Sequence, residues 1–152
     1  MKITLFTLLL LILTYPSICQ KANPDYDPAL AKKLGAYERG MKMYVLVILK
    51  TGPNNETDSV KRANLFAGHF RSINNLAEQK KLIVAGPLDK NKSAYRGIFI
   101  LDVPTFEEAA DLLQNDPTIK ERIFDAEYFN WYGSAALPEY LESDKKIRKT
   151  IP

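Results

Sequence analysis

The chain has 152 residues, 46% of them hydrophobic, enough for one domain around one core and too few for several. A single cysteine and a single histidine exclude an internal disulfide framework and argue against the usual zinc and haem sites. Lys and Arg outnumber Asp and Glu by only 21 to 18, a balance too even for a nucleic-acid footprint spread over the body.

Residues 1–19, "MKITLFTLLLLILTYPSIC", carry one cation at Lys2, an apolar run from Ile3 to Leu13, then Pro16 and small residues. That is the layout of a secretory signal peptide, with Ser17 and Cys19 at the −3 and −1 positions of a cleavage site after Cys19. The run is shorter than the roughly 18 to 20 apolar residues that span a bilayer, so no stable membrane span is expected. Lipid attachment at Cys19 is the weaker alternative, because bulky Ile18 precedes it. The expected product is exported, periplasmic or extracellular, and free of cysteine.

Residues 20–41 form an extension, in which Asp27, Pro28 and Gly35 bracket "PALAKKLG" as N-cap, first-turn proline and C-terminal glycine of a short helix. "MYVLVIL", Met43 to Leu49, is predicted to be a strand apolar on both faces. After the loop "KTGPNNETD", residues from about Asp58 to Lys80 carry the longest helical pattern. "LIVAGP", Leu82 to Pro87, is a short buried strand stopped by Gly-Pro, and "YRGIFILDV", Tyr95 to Val103, is a third strand. Thr105 and Glu108 make a capping box at the start of a helix that ends near Asn115. "DAEYFNWYG" is the fourth strand. Residues 138–152 read as a polar tail, whose segment Ser143 to Pro152 holds four cations and one anion and is expected to be solvated.

The order is β-α-β-β-α-β, an α+β ferredoxin-like split βαβ domain over residues 42–137, with both helices on one face of a four-stranded antiparallel sheet. A sheet covered on one face should alternate apolar and polar residues, and "MYVLVIL" and "GIFIL" do not. The second face therefore needs a cover. The economical one is the sheet of a second copy, a homodimeric α/β barrel, and plain over-hydrophobicity of short strands is the alternative.

The lone histidine, His69, lies on the first long helix. At 100° per residue, Ala63, Phe66, Phe70, Ile73 and Ala77 form one stripe, with Leu65 and Leu76 on its shoulder, and His69 falls between Ile73 and Leu76. It faces protein, which on periodicity alone fits a core histidine at least as well as a functional one.

Four separated blocks, H-x6-L at His69 and Leu76, A-G-P at 85–87, R-G-I-F at 96–99 and D-P at 116–117, occur in this order. Together, over about Lys42 to Leu137, they make the chain resemble the YCII-related family of small dimeric α/β-barrel proteins. The resemblance implies a pocket in which His69 meets Asp116, with the Gly86-Pro87 turn beside the same cleft. Some relatives are linked to eliminations on small aromatic compounds, so similar chemistry is an implied expectation. A neutral imidazole takes up a proton near pH 7, and a carboxylate fixes its tautomer and stabilises the imidazolium. Asp116 before Pro117 also reads as the N-cap of a following helical turn, and two carboxylate oxygens suffice for both roles.

Further candidates are weaker on residue type alone. Tyr128, Trp131 and Tyr132 suit an aromatic-binding wall or a core or interface, and Arg96 suits an anionic group or a solvated strand end. Ser134 reads as shaping a turn. No G-x-G-x-x-G or phosphate-loop motif is present, and the tripeptides at Asn55 and Asn91 match glycosylation sequons. The expectation is a cofactor-free, metal-free lyase or isomerase acting on a small cyclic or aromatic ligand, with His69 and Asp116 catalytic and Gly86, Pro87, Arg96 and Trp131 binding. The alternative is a dimeric module that binds a small ligand, or a partner, without catalysis. No nucleic-acid partner is expected.

Overall fold

The computed structural model describes residues 22–149, so the signal peptide, its cleavage site and Cys19 lie outside the described residues. Four strands, β1 (Met41–Thr51), β2 (Leu82–Pro87), β3 (Tyr95–Leu101) and β4 (Phe124–Ser134), form one antiparallel sheet in the order β2-β3-β1-β4. The helices are α1 (Pro28–Leu34), α2 (Ser59–Glu78), α3 (Phe106–Leu113), α4 (Pro117–Lys120) and α5 (Leu141–Ile147), with a 3₁₀ turn at Leu137–Tyr140. This is the split βαβ arrangement: β3 lies between β1 and β2, and β1 lies between β3 and β4. Among the described residues no helix is long and apolar enough to cross a membrane.

The predicted caps form. Asp27 accepts from the N–H groups of Ala29 and Leu30 at 2.9 Å each, and Gly35 closes α1 in the left-handed conformation at φ 69°. Asp58, expected only as the approximate start of its helix, also caps α2 by accepting from Val60 and Lys61. The capping box of α3 forms by half: Thr105 Oγ1 accepts from the Glu108 N–H at 3.2 Å, but the Glu108 carboxylate takes the Lys81 ammonium instead, at 2.9 Å.

Period-two alternation along β1 puts Val45, Val47 and Leu49 on one face, paired with Leu101, Phe99 and Gly97 of β3. Leu76 of α2 and Ala109 and Leu113 of α3 close this main core. Burying each large side chain there contributes about 1.5 to 3 kcal/mol before entropy is counted. The buried stripe of α2 is rotated from the expected one. His69 and Leu76 are its buried centre, whereas Phe70 is 48% exposed.

The second sheet face departs from expectation in what covers it. The polar tail expected from residue 138 is anchored at its start, where Leu137 and Leu141 pack on Tyr44, Ile83 and Ile100 and the Tyr140 hydroxyl donates to the Ile83 carbonyl, while Ser143 and Lys145 to Lys149 are exposed as expected. Three apolar side chains within five positions supply the anchor, and the surrounding charges stay outside. The cover is partial. Leu46, Ile48 and Ile98 remain half-buried on this face, and Phe129 is 44% exposed.

Candidate functional site

Local sequence rules build each half of the site. Asp116 ends the connection after α3 and caps α4, with Pro117 at the first helical position, where its missing N–H costs nothing. One carboxylate oxygen, Oδ1, accepts from the Thr118 N–H at 2.9 Å and from the Thr118 hydroxyl at 2.7 Å. The other, Oδ2, is free to look outward toward α2. It meets His69 Nδ1 at 2.7 Å, across 47 positions of sequence.

Close approach of two helices makes that contact. A Cβ on Gly68 would stand 2.6 Å from Pro117 Cγ, a clash, so the absence of a side chain at 68 lets α4 seat against α2. The next residue is His69. Its imidazole is therefore delivered to the cap of α4 by the same contact.

Both partners are buried, His69 at 7% exposure and Asp116 at 1%. Burial acts to raise the Asp116 carboxyl, but the hydrogen bonds from His69 and Thr118 outweigh it and hold the group below its ordinary value of 3.8. Asp116 is thus a carboxylate that can only accept. Since the Thr118 hydroxyl donates its hydrogen to Oδ1 and Asp116 carries none, the hydrogen between Nδ1 and Oδ2 belongs to the imidazole, and Nδ1–H also points toward Thr118 Oγ1 at 3.1 Å. In the neutral ring the lone pair then sits on Nε2.

Nε2 makes no hydrogen bond with any described residue. No buried side-chain nitrogen or oxygen among the described residues lacks a partner, so Nε2 keeps contact with solvent. Around the ring stand four phenylalanines. Phe99 stacks at 6.0 Å between centroids, Phe66 and Phe124 present edges at 6.3 and 5.7 Å, and Phe70 is tilted at 5.8 Å. The result is one reachable basic nitrogen in an apolar, aromatic setting, oriented by a buried carboxylate.

Of the six residues singled out from sequence, the structure brings His69 and Asp116 into contact and sets Trp131 on the opposite sheet face. There Trp131 pairs with Tyr44 across β1 and β4 and lies tilted against it at 5.6 Å between centroids. The three β4 aromatics share no single wall: Tyr128 packs on the main core and Tyr132 stacks on Tyr37 at 6.1 Å. Gly86 and Pro87 lie within β2, paired with Ile98 and Gly97, and make no turn at the imidazole. A Cβ on Gly86 would meet nothing within 4 Å, so no close approach at that position demands glycine. Arg96 donates to the carbonyl of its neighbour Tyr95 at 3.1 Å. Trp131 is misplaced for a simple reason: adjacent strand residues face opposite ways, and the phase is set by pairing with β1.

Thr118, Gly68, Phe99 and Phe124 join the site without having been singled out. A hydroxyl two residues after an Asp-Pro cap is a local signal for Thr118; the aromatic walls from β3 and β4 have none. Two surface cavities lie elsewhere. One, about 320 Å³, is lined by Tyr37 and by Lys42 and Asp102, which pair at 2.7 Å; the other, about 400 Å³, follows the N-terminal extension. Among the described residues no three His, Cys, Asp or Glu side chains gather to hold a metal.

The family model for the YCII-related domain matches residues 43–131. Among solved structures, a 5-chloro-2-hydroxyhydroquinone dehydrochlorinase from Burkholderia phenoliruptrix AC1100, in complex with 2,5-dihydroxybenzoquinone, is similar to this chain. Identity is 20% over 57% of this chain and 92% of that one, with a TM-score of 0.41. No curated protein matches.

The lowered Asp116 carboxyl fixes a pH signature. A depressed folded-state value contributes stability that is present above the ordinary carboxylate range and lost as pH falls through the lowered value. Asp116→Asn should therefore cost roughly 1 to 3 kcal/mol at neutral pH and flatten the loss of stability below about pH 4. Urea unfolding from pH 3 to 8 measures both; parallel wild-type and variant curves would contradict the assignment.

Proposed function

The chain belongs to the YCII-related family, and from that premise we propose that it is a cofactor-free acid-base catalyst acting on a small cyclic or aromatic compound, with His69 as the proton carrier. The observation that carries this is the 2.7 Å bond from His69 Nδ1 to Asp116 Oδ2, which leaves Nε2 as the basic nitrogen. Nε2 accepts a proton from an acidic C–H or O–H of the bound compound. Asp116, ionised throughout, stabilises the imidazolium that results. Returning the proton to a different atom completes an isomerisation; loss of a leaving group from the anion completes an elimination. The phenylalanine walls suit a ring and keep water sparse around the charge.

The tight packing of the imidazole, 7% exposed among four rings, favours a second reading, in which the same cluster binds a small ligand, or stabilises the fold, without turnover. Deuterium exchange separates the two. Incubated in D₂O with a panel of enolisable cyclic ketones and hydroxylated aromatics, the protein should speed exchange at one acidic position. His69→Ala should lose that acceleration by roughly 10²- to 10⁴-fold, the usual share of a general base, while keeping its circular dichroism spectrum. Equal rates for the two proteins across the panel would leave only the non-catalytic reading.

We propose also that two copies pair through the second sheet face. Its support is the row of Leu46, Ile48 and Ile98, left half-buried, with Phe129 44% exposed beside it. Light scattering at micromolar concentration should report a dimer and Phe129→Lys a monomer; a monomeric wild type would defeat the idea.

Export is the third element of the proposal, and it rests on the cation, apolar run and small residues of positions 1–19. Intact mass of the secreted product should place its first residue at Gln20. A product that retains residues 1–19, or carries lipid on Cys19, would be the contrary result.

A further inference from the structure

The exposed edge of α2 carries a feature that the acid-base reading leaves unused. Arg62, Phe66 and Phe70 follow one another at four-residue spacing, so they stand in a row along one side of the helix. The Arg62 guanidinium lies over the Phe66 ring at 5.1 Å, and Phe66 in turn presents its edge to the His69 imidazole at 6.3 Å between centroids. Phe70, tilted at 5.8 Å from the same imidazole, is 48% exposed.

Arg62 is exposed, and it makes no ion pair within 4 Å with any described carboxylate. The acidic groups nearest it in sequence are already engaged. Glu56 pairs with Lys61 at 2.7 Å, and Asp58 accepts the N–H groups of Val60 and Lys61 as the helix cap. The first turn of α2 holds no acidic residue. A guanidinium held beside an aromatic ring, with no carboxylate partner, keeps N–H groups in the planar fork that matches a carboxylate or a phenolate.

Resting on the acid-base reading of His69, we infer that the compound taken up there is a planar ring bearing an anionic group. Arg62 holds the anion, and the edge formed by Phe66 and Phe70 holds the ring. The guanidinium carbon lies 5.1 Å and the imidazole centroid 6.3 Å from the centre of the same Phe66 ring, and a single ring with one acidic substituent is the smallest compound that offers a group to each. Anion and base then grip opposite ends of the compound. Arg62 is on this view a binding residue, and the part it plays in the chemistry is to orient the ring against Nε2.

The probe pair is benzoate and its neutral isostere benzamide, titrated into the full chain and followed by the only imidazole resonances in the NMR spectrum, those of His69. Benzoate should shift those resonances and bind roughly tenfold more tightly than benzamide, the effect of one charge-assisted hydrogen-bonded pair. Arg62→Gln should erase the difference, Arg62→Lys should keep part of it, and raising the salt should weaken benzoate alone. Arg62 is a solvent-facing helix residue, so both variants should fold, as circular dichroism will report. Equal affinity of the two probes, failure of either to move the His69 signals, or undiminished benzoate binding by Arg62→Gln overturns the inference. Any of those results, found while His69→Ala still abolishes deuterium exchange, removes the anionic substrate class and leaves the base assignment standing.

Discussion

Asp116 is the one group on which the site's geometry turns. Its two oxygens look in two directions: Oδ1 terminates the backbone of α4 through Thr118, and Oδ2 takes the imidazole of α2. A carboxylate buried to 1% exposure is costly unless its lone pairs are filled, and here three donors fill them. The cap and the imidazole contact are therefore not separable. If α4 shifted, the cap carboxylate would move with it and His69 would lose its fixed tautomer.

The sheet supplies the rigid floor for this arrangement. β1 is paired along its length with β4 and on its other side with β3, so Phe99 and Phe124 approach the imidazole from two different strands held in register by a third. Helix α2 then needs only the right rotation and depth. Depth comes from Gly68 against Pro117, and rotation follows, because seating residue 68 on α4 turns 69 and 76 inward and 70 outward. One glycine thus settles both which residues of a twenty-residue helix are core and which nitrogen meets the carboxylate. The C-terminal segment does comparable work on the other face, where Leu137, Tyr140 and Leu141 cover Tyr44, Ile83 and Ile100 and leave the row around Phe129 open.

What could be read from sequence and what could not divide along the range of the forces involved. Caps at Asp27, Thr105 and Asp116 are decided within four residues, and all three form. The strand and helix order is likewise local, and the family blocks pointed to His69 beside Asp116. The phase of α2 was legible only to within one residue, since it depends on a glycine meeting a proline 49 positions away. The aromatics of β4 fail for a related reason. "YFNWY" alternates faces, and only pairing with β1 says that Tyr128 enters the main core while Trp131 goes to the opposite side. In the tail, average polarity concealed an anchor of three side chains, because burial is decided by residues in contact and not by composition.

A last argument bears on why the cluster is polar at all. Between four phenylalanine rings, an aliphatic or aromatic side chain at 69 and a small one at 118 would fill the space without desolvating a charge, and such replacements commonly leave stability unchanged or improved. Both Asp116 oxygens and the Thr118 hydroxyl are engaged, Nδ1 is fixed, and Nε2 alone makes no hydrogen bond with a described residue. The cluster thus fixes one ring nitrogen through Asp116 and Thr118 and leaves the other outside the hydrogen-bonded network, the feature that the acid-base proposal draws on.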